Sequence, residues 1–261
     1  MGLAKTARTY LRRLDVDLVR YSSHRDLYDE VCRLRRLAAL LKVLPDEALR
    51  PAIEVLDDAR SQLGQDIFAL SVNRFKPNGF FVEFGATNGK TLSNTWLLEK
   101  RFGWTGILAE PARTWHAALA ANREVIVEHD CVWSRSGEVL KFSEVPNEAE
   151  LSTISDLSGD DRHAASRRGA KEYEVTTIAF TELLSKHSAP PLVDFLSIDT
   201  EGSELEILSS LDWDRWKFRA ITCEHNFTAN REKIANLLAG LGYERVYTEV
   251  SDFDDWFVLK G

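Results

Sequence analysis

Apolar residues recur three and four positions apart in the first quarter of the chain and in short runs thereafter, and this change of period divides the sequence. Between positions 3 and 18 they fall at Leu3, Ala7, Tyr10, Leu11, Leu14 and Leu18, with Lys5, Arg8, Arg12 and Arg13 between them. That is the spacing of a basic amphipathic helix. Positions 27–43 and 45–63 repeat it, the second opened by Pro45-Asp46-Glu47, a good helix start. Residues 1–75 therefore read as a helical extension, and 76–261 as the main domain. There, short apolar runs predict strands near 80–84, 105–109, 124–129, 139–144, 173–177, 193–198, 219–224, 243–249 and 255–259. Helices near 90–102, 112–122, 179–187, 203–211 and 228–241 separate most of them. The alternation predicts an α/β fold: a doubly wound, mostly parallel, Rossmann-like seven-stranded sheet with an antiparallel finish.

Candidate chemistry concentrates between Phe80 and Pro111. An apolar run leads into Glu83-Phe84-Gly85-Ala86-Thr87-Asn88-Gly89, a helical segment follows, and a second apolar run ends on Glu110 and Pro111. The glycines Gly85 and Gly89 permit a tight turn with close backbone approach to a ligand, and a carboxylate at the tip of the second strand accepts hydrogen bonds from a ribose diol. A dinucleotide fingerprint would have glycine where Glu83 stands. An acid there repels phosphate and suits a cationic ligand, such as the amino and sulfonium groups of S-adenosyl-L-methionine.

A second anchor is LVDFLSIDTEGSELEIL, residues 192–208, where an apolar strand ends on Asp199 and a turn holds Glu201 and Gly202 before a helix with Glu204 in its first turn. Strand ends of an open α/β sheet face one crevice, so Asp199 is expected beside Gly85 and Glu110. The pattern D-x-x-x-I-D-x-E-G-x-E-x-x-x-L resembles the signature of FkbM-type methyltransferases. The resemblance extends from about Ser61 to the C-terminus, through Ser61-Gln62-Leu63-Gly64-Gln65-Asp66, 80–111, 198–208 and Cys223-Glu224-His225-Asn226. It implies the class I methyltransferase fold, S-adenosyl-L-methionine as cofactor, and O-methylation of sugars or other hydroxylated natural products. It also implies that Asp130, with the Cys131 backbone, meets the adenine. The chain departs from the family at Ser197, where lysine is usual.

The net charge of −8, from 33 basic and 41 acidic residues, argues against a nucleic-acid groove and for a small-molecule or glycan acceptor. Cys32, Cys131 and Cys223 are odd in number and widely spaced, which indicates neither a disulfide framework nor a zinc site. No apolar run reaches a membrane span and no signal-peptide core is present, so a cytoplasmic protein is expected. The basic N-terminal helix leaves two readings open: peripheral contact with a membrane, or docking on the core or on a second subunit of a homo-oligomer. Met1-Gly2-Leu3-Ala4-Lys5-Thr6 also fits a myristoylation pattern, one short enough to occur by chance.

Methyl transfer to a hydroxyl needs a proton acceptor. Asp199 and His225 end adjacent predicted strands, so either is a candidate base, with Glu201 beside them to bind acceptor hydroxyls. Asp199, Glu224 and His225 also form a candidate Mg²⁺ or Mn²⁺ site. The polar stretch 146–171 reads as a substrate-selecting lid or a merely mobile loop. N- or carboxyl-methylation, and a non-catalytic nucleoside-binding or scaffolding role, are the alternatives.

Overall fold

The computed structural model describes residues 21–145, 149–155 and 169–261. The predicted helix over 3–18, its lipidation pattern and most of the 146–171 loop lie outside the described residues. The described elements, in chain order, are α1 (Tyr21–Leu41), α2 (Asp46–Ile53), a 3₁₀ turn (Leu56–Asp58), α3 (Gln65–Val72), β1 (Phe80–Phe84), α4 (Trp96–Phe102), β2 (Thr105–Ala109), α5 (His116–Asn122), β3 (Ile126–Glu128) and β4 (Cys131–Trp133). There follow β5 (Val139–Glu144), a 3₁₀ turn (Ala149–Leu151), β6 (Thr153–Ile154), β7 (Lys171–Ala179), α6 (Phe180–Lys186), β8 (Leu192–Ile198), α7 (Glu204–Ser210), β9 (Lys217–Glu224), α8 (Asn230–Gly240), β10 (Tyr243–Val246) and β11 (Asp254–Leu259). No described helix is long and apolar enough to cross a membrane.

Seven strands form the main sheet in the order β10-β11-β9-β8-β1-β2-β3. All pairs from β9 to β3 are parallel, and β11 runs antiparallel to both its neighbours. The chain leaves β1 toward β2 and β3, then returns to lay β8 against the other side of β1. This reversal opens a crevice beyond the carboxyl ends of β1 and β8.

Alternate residues of each strand face opposite layers. Val82 and Phe84 pack with α6, α7 and α8 through Phe180, Leu183, Ile207, Leu208 and Leu238. Phe81, Phe195 and Trp256 pack with Leu37, Leu40, Ile67, Phe68 and Leu97 of the other layer. Phe68 stacks on Trp256 at 4.8 Å, and burying each such aromatic stabilises the fold by roughly 1.5–3 kcal/mol. The boundary expected at residue 75 thus crosses one continuous apolar cluster.

The structure departs from the sequence expectations at three places. The strands at 139–144 and 173–177 leave the main sheet and build a second one, β4-β7-β5-β6. The first three residues of β5 and the first four of β7 are not buried, as at the rim of a sheet that meets solvent, whereas β8 is buried almost throughout. The helix expected over 45–63 ends at Ile53. Asp66 then ties the following loop by accepting hydrogen bonds from the Arg60 N–H at 2.9 Å and the Ser61 hydroxyl at 2.6 Å. The helix expected from 90 begins at Trp96, because Asn88 Oδ1 accepts from the N–H groups of Lys90 and Thr91 and holds them in a turn.

Candidate active site

A cavity of about 300 Å³ lies in this crevice, walled by Gly85–Asn88 after β1, Glu110 and Pro111 after β2, and Asp199–Glu201 after β8. Glu224 closes it at the end of β9, and Gln65, Trp115, Cys131, Phe142, Ile154 and Phe253 also line it. Gly85 has φ +79°, and a Cβ there would sit 2.0 Å from the Asp199 carbonyl oxygen. Only glycine lets β1 end against β8 in this way. Gly89, φ +74°, serves a protein contact: a Cβ there would meet Leu119 and Arg123 within 2.6 Å, so its bareness admits the end of α5, and it lies outside the cavity lining.

Glu110 is buried at the tip of β2, and the N–H groups of Thr87 and Ala112 donate to its two oxygens at 2.7 and 2.8 Å. Burial, with smaller repulsion from Asp199 and Glu144, raises its pKa to about 7. The carboxyl is therefore held firmly in place with lone pairs to spare for a ligand.

Glu83, also in the cavity lining, is tied to the loop that precedes α4. It accepts from the Asn94 N–H at 2.8 Å, from the Ser93 hydroxyl at 3.2 Å and from the Thr95 hydroxyl, with Arg123 3.7 Å away. The side chain of Arg123 is fully buried and also bonds Glu99, the Gly89 carbonyl and the hydroxyls of Ser93 and Thr95. Glu83 is thus fixed by the loop before α4 while it still lines the cavity. Ser197, where the related family usually has lysine, lies level with Glu83 on β8 and accepts from the Asn94 side-chain amide at 2.9 Å. The positive charge near Glu83 comes instead from Arg123.

At the opposite wall, Asp199, Glu201 and Glu224 each offer an oxygen, all within 4.8 Å of one another. Burial, then repulsion from Asp199, Glu201, Glu204 and Asp254, raises the Glu224 pKa well above its ordinary value. Asp254, which accepts from Gln65 Nε2 at 2.9 Å, is raised to about 8, chiefly by burial. Glu204 accepts from the N–H groups of Thr200 and Gly202 at 3.0 Å and shapes the turn that presents Glu201.

His225 does not join this group. Its Nδ1 accepts from the Phe227 N–H at 3.0 Å and its Nε2 lies 3.9 Å from Asp255, outside the cavity lining. The expected acids Asp199, Glu201 and Glu224 are therefore brought together, and His225 is not among them. Asp130 also lies outside the lining, while Cys131 is in it. Two buried polar atoms of lining residues, Asn94 Oδ1 and Trp115 Nε1, have no hydrogen-bond partner among the described residues. An indole donor and an amide acceptor are left for a polar ligand, and nothing in the local sequence pattern marks either one.

A profile of the methyltransferase FkbM domain matches residues 83–259. None of the curated proteins matches the chain. Similar solved structures include precorrin-6y C5,15-methyltransferase from Geobacter metallireducens, at 13% identity and TM-score 0.43 over 76% of this chain and 89% of that one. Methyltransferase FkbM from Methylobacillus flagellatus matches at 11% identity and TM-score 0.40 over 88% of this chain and 60% of that one. A TehB-like SAM-dependent methyltransferase from Corynebacterium glutamicum matches at 11% identity and TM-score 0.36 over 81% and 95%.

Proposed function

Because the chain belongs to the FkbM methyltransferase family, we propose that it transfers a methyl group from S-adenosyl-L-methionine to a hydroxyl of a sugar, a glycan or another hydroxylated small molecule. The observation that carries this reading is that Glu110 and the Asp199–Glu201–Glu224 group line the same cavity. The unpartnered Asn94 Oδ1 and Trp115 Nε1 in that lining suit a ligand with several polar groups. Glu110 would hold the ribose hydroxyls, and the residues from Gly85 to Asn88 would bound the rest of the nucleoside beside Pro111 and Cys131. When bound, the cofactor supplies a methyl group on positively charged sulfur. Asp199 accepts the proton of the attacking hydroxyl, Glu201 orients the acceptor, and Glu224, protonated by its surroundings, donates a hydrogen bond within the group.

A second reading is favoured by the 4.8 Å spread of the three acids. It would have Asp199, Glu201 and Glu224 hold Mg²⁺ or Mn²⁺, bind two vicinal hydroxyls and lower the pKa of one. Incubation with labelled S-adenosylmethionine and fractionated glycans and small molecules, followed by mass spectrometry, tests the activity. A base-stable ether product is expected. A base-labile or nitrogen-linked methyl group would assign the alternative acceptors, and no product despite tight S-adenosylhomocysteine binding would assign a non-catalytic role. Loss of turnover in EDTA, restored by Mg²⁺ or Mn²⁺, would select the metal reading.

A further inference from the structure

Helix α1 has two apolar faces. Leu37 and Leu40, followed by Leu44, are buried against the body of the protein. Leu27, Val31, Leu34 and Ala38 form a second row, and all four are exposed: Leu27 by 66%, Val31 by 38% and Leu34 by 52%. Tyr28 beside them is 62% exposed. The remaining large exposed hydrophobics among the described residues, Ile53, Leu92, Val139, Leu192 and Phe227, are scattered over separate elements. Spacing of four, three and four is the seam of two helices packed side by side, where each apolar knob enters a hole in the partner.

The charges of α1 say which partner fits. Its first half carries three acids, Asp26, Asp29 and Glu30, against one arginine, Arg25, and its second half carries Arg33, Arg35 and Arg36, with Lys42 just beyond; within the chain Arg33 pairs with Glu30 and Arg36 with Asp252. A copy of this helix laid antiparallel meets acid with base at both ends, and a parallel copy sets like against like. The antiparallel register that opposes Val31 to Leu34 of the second copy also opposes Leu27 to Ala38 and Glu30 to Arg35. The chain's own first twenty residues are a poorer occupant. From Leu3 to Leu44 the sequence contains neither glycine nor proline, the residues that most readily reverse a chain between helices. An anionic membrane is poorer too, since three acids fall in one half of the helix.

We propose that α1 is a self-association element that pairs antiparallel with α1 of a second copy through Leu27, Val31, Leu34 and Ala38, giving a two-fold symmetric dimer. Both copies then present the same patch to each other, and the active-site cavity, which none of these residues lines, stays accessible in each.

Light scattering on the full chain should give twice the 29.6 kDa chain mass. Leu27→Glu/Leu34→Glu should give the single chain mass with an unchanged circular dichroism spectrum, since both positions are exposed in the single chain. In a Cys32→Ser background, Leu27→Cys/Ala38→Cys should form an inter-chain disulfide on oxidation and Leu27→Cys alone should not. A monomeric wild-type chain, or a dimer indifferent to the glutamates, would overturn the proposal. So would cross-linking by Leu27→Cys alone, which reports parallel helices. A monomer that co-sediments with anionic vesicles and loses this in the double glutamate variant would assign the row to a membrane instead.

Discussion

Single atoms decide what the site can hold, and Gly85 is the sharpest case. Alanine there would have to fit a Cβ 2.0 Å from the Asp199 oxygen at φ +79°. The left-handed backbone costs about 1–2 kcal/mol and the overlap about 1–3 kcal/mol more. Gly85→Ala should lower the urea midpoint accordingly and weaken S-adenosylhomocysteine binding in calorimetry. For Asp199 and His225 the structure separates two positions that sequence proximity had joined. Asp199→Asn should cut turnover by roughly 10²–10⁴ with S-adenosylhomocysteine affinity within about tenfold. His225→Gln should keep turnover within about tenfold, because its ring lies against Asp255 and Phe227 outside the cavity. Equal losses in both variants would return the base to His225. Gly85, Glu110 and Asp199 were legible because each follows an apolar run at a strand end. Asn94 and Trp115 were not, because an unpartnered atom becomes visible only when its surroundings are known.

Among the elements, the loop that replaces the first turn of the predicted helix at 90–102 rests on Glu83 and Arg123. Five groups depend on one guanidinium: Glu83, Glu99, the Gly89 carbonyl and two hydroxyls. Arg123→Ala would leave buried Glu83 without a counter-charge, a loss of about 3–5 kcal/mol, while Glu99 keeps Lys100 at 2.8 Å. Arg123→Lys should recover little of it, since an ammonium lacks the planar fork that meets several acceptors at once. Chemical denaturation of both variants checks this. In the sequence, Arg123 stands after Asn122 at the end of a predicted helix and looks like a solvated surface residue. Its burial follows from Gly89, whose missing side chain leaves room for it, and that pairing spans 34 residues. The second sheet escaped for a related reason: strand periodicity marks β5 and β7 as strands without saying which sheet they join.

Across the whole molecule, buried acids set how stability responds to pH. Burial raises Glu110 to about 7 and Asp254 to about 8, from ordinary values of 4.5 and 3.8. In the pH range between each pair of values the folded protein keeps a proton that the unfolded chain has released. Stability from these groups is thus fully present below the unfolded values and is lost as pH climbs through about 7 and 8. The melting temperature of the ligand-free protein should fall between about pH 5 and about pH 8, and Asp254→Asn should flatten the slope. A melting temperature that rises over this interval would contradict the assignment. At this scale the sequence was most readable: the alternation of runs and helices marked nine strands, seven of which form the main sheet with β11 reversed. The charge count indicated an acidic protein, but not that so many of the acids gather at one end of the sheet.

The place of β11 in the sheet sets an order in time. It is the last strand in the chain, yet it lies between β9 and β10, so β10 has no partner until β11 arrives. Its first residue, Asp254, receives Gln65 from 189 positions earlier, and Phe253 just before it completes the cavity wall. A ribosome delivering this chain releases the glycine turn and Glu110 long before the last wall residue. Completion of the cavity wall is therefore among the final events of maturation, and a nascent chain halted before residue 253 carries the recognisable motif without the last residue of that wall.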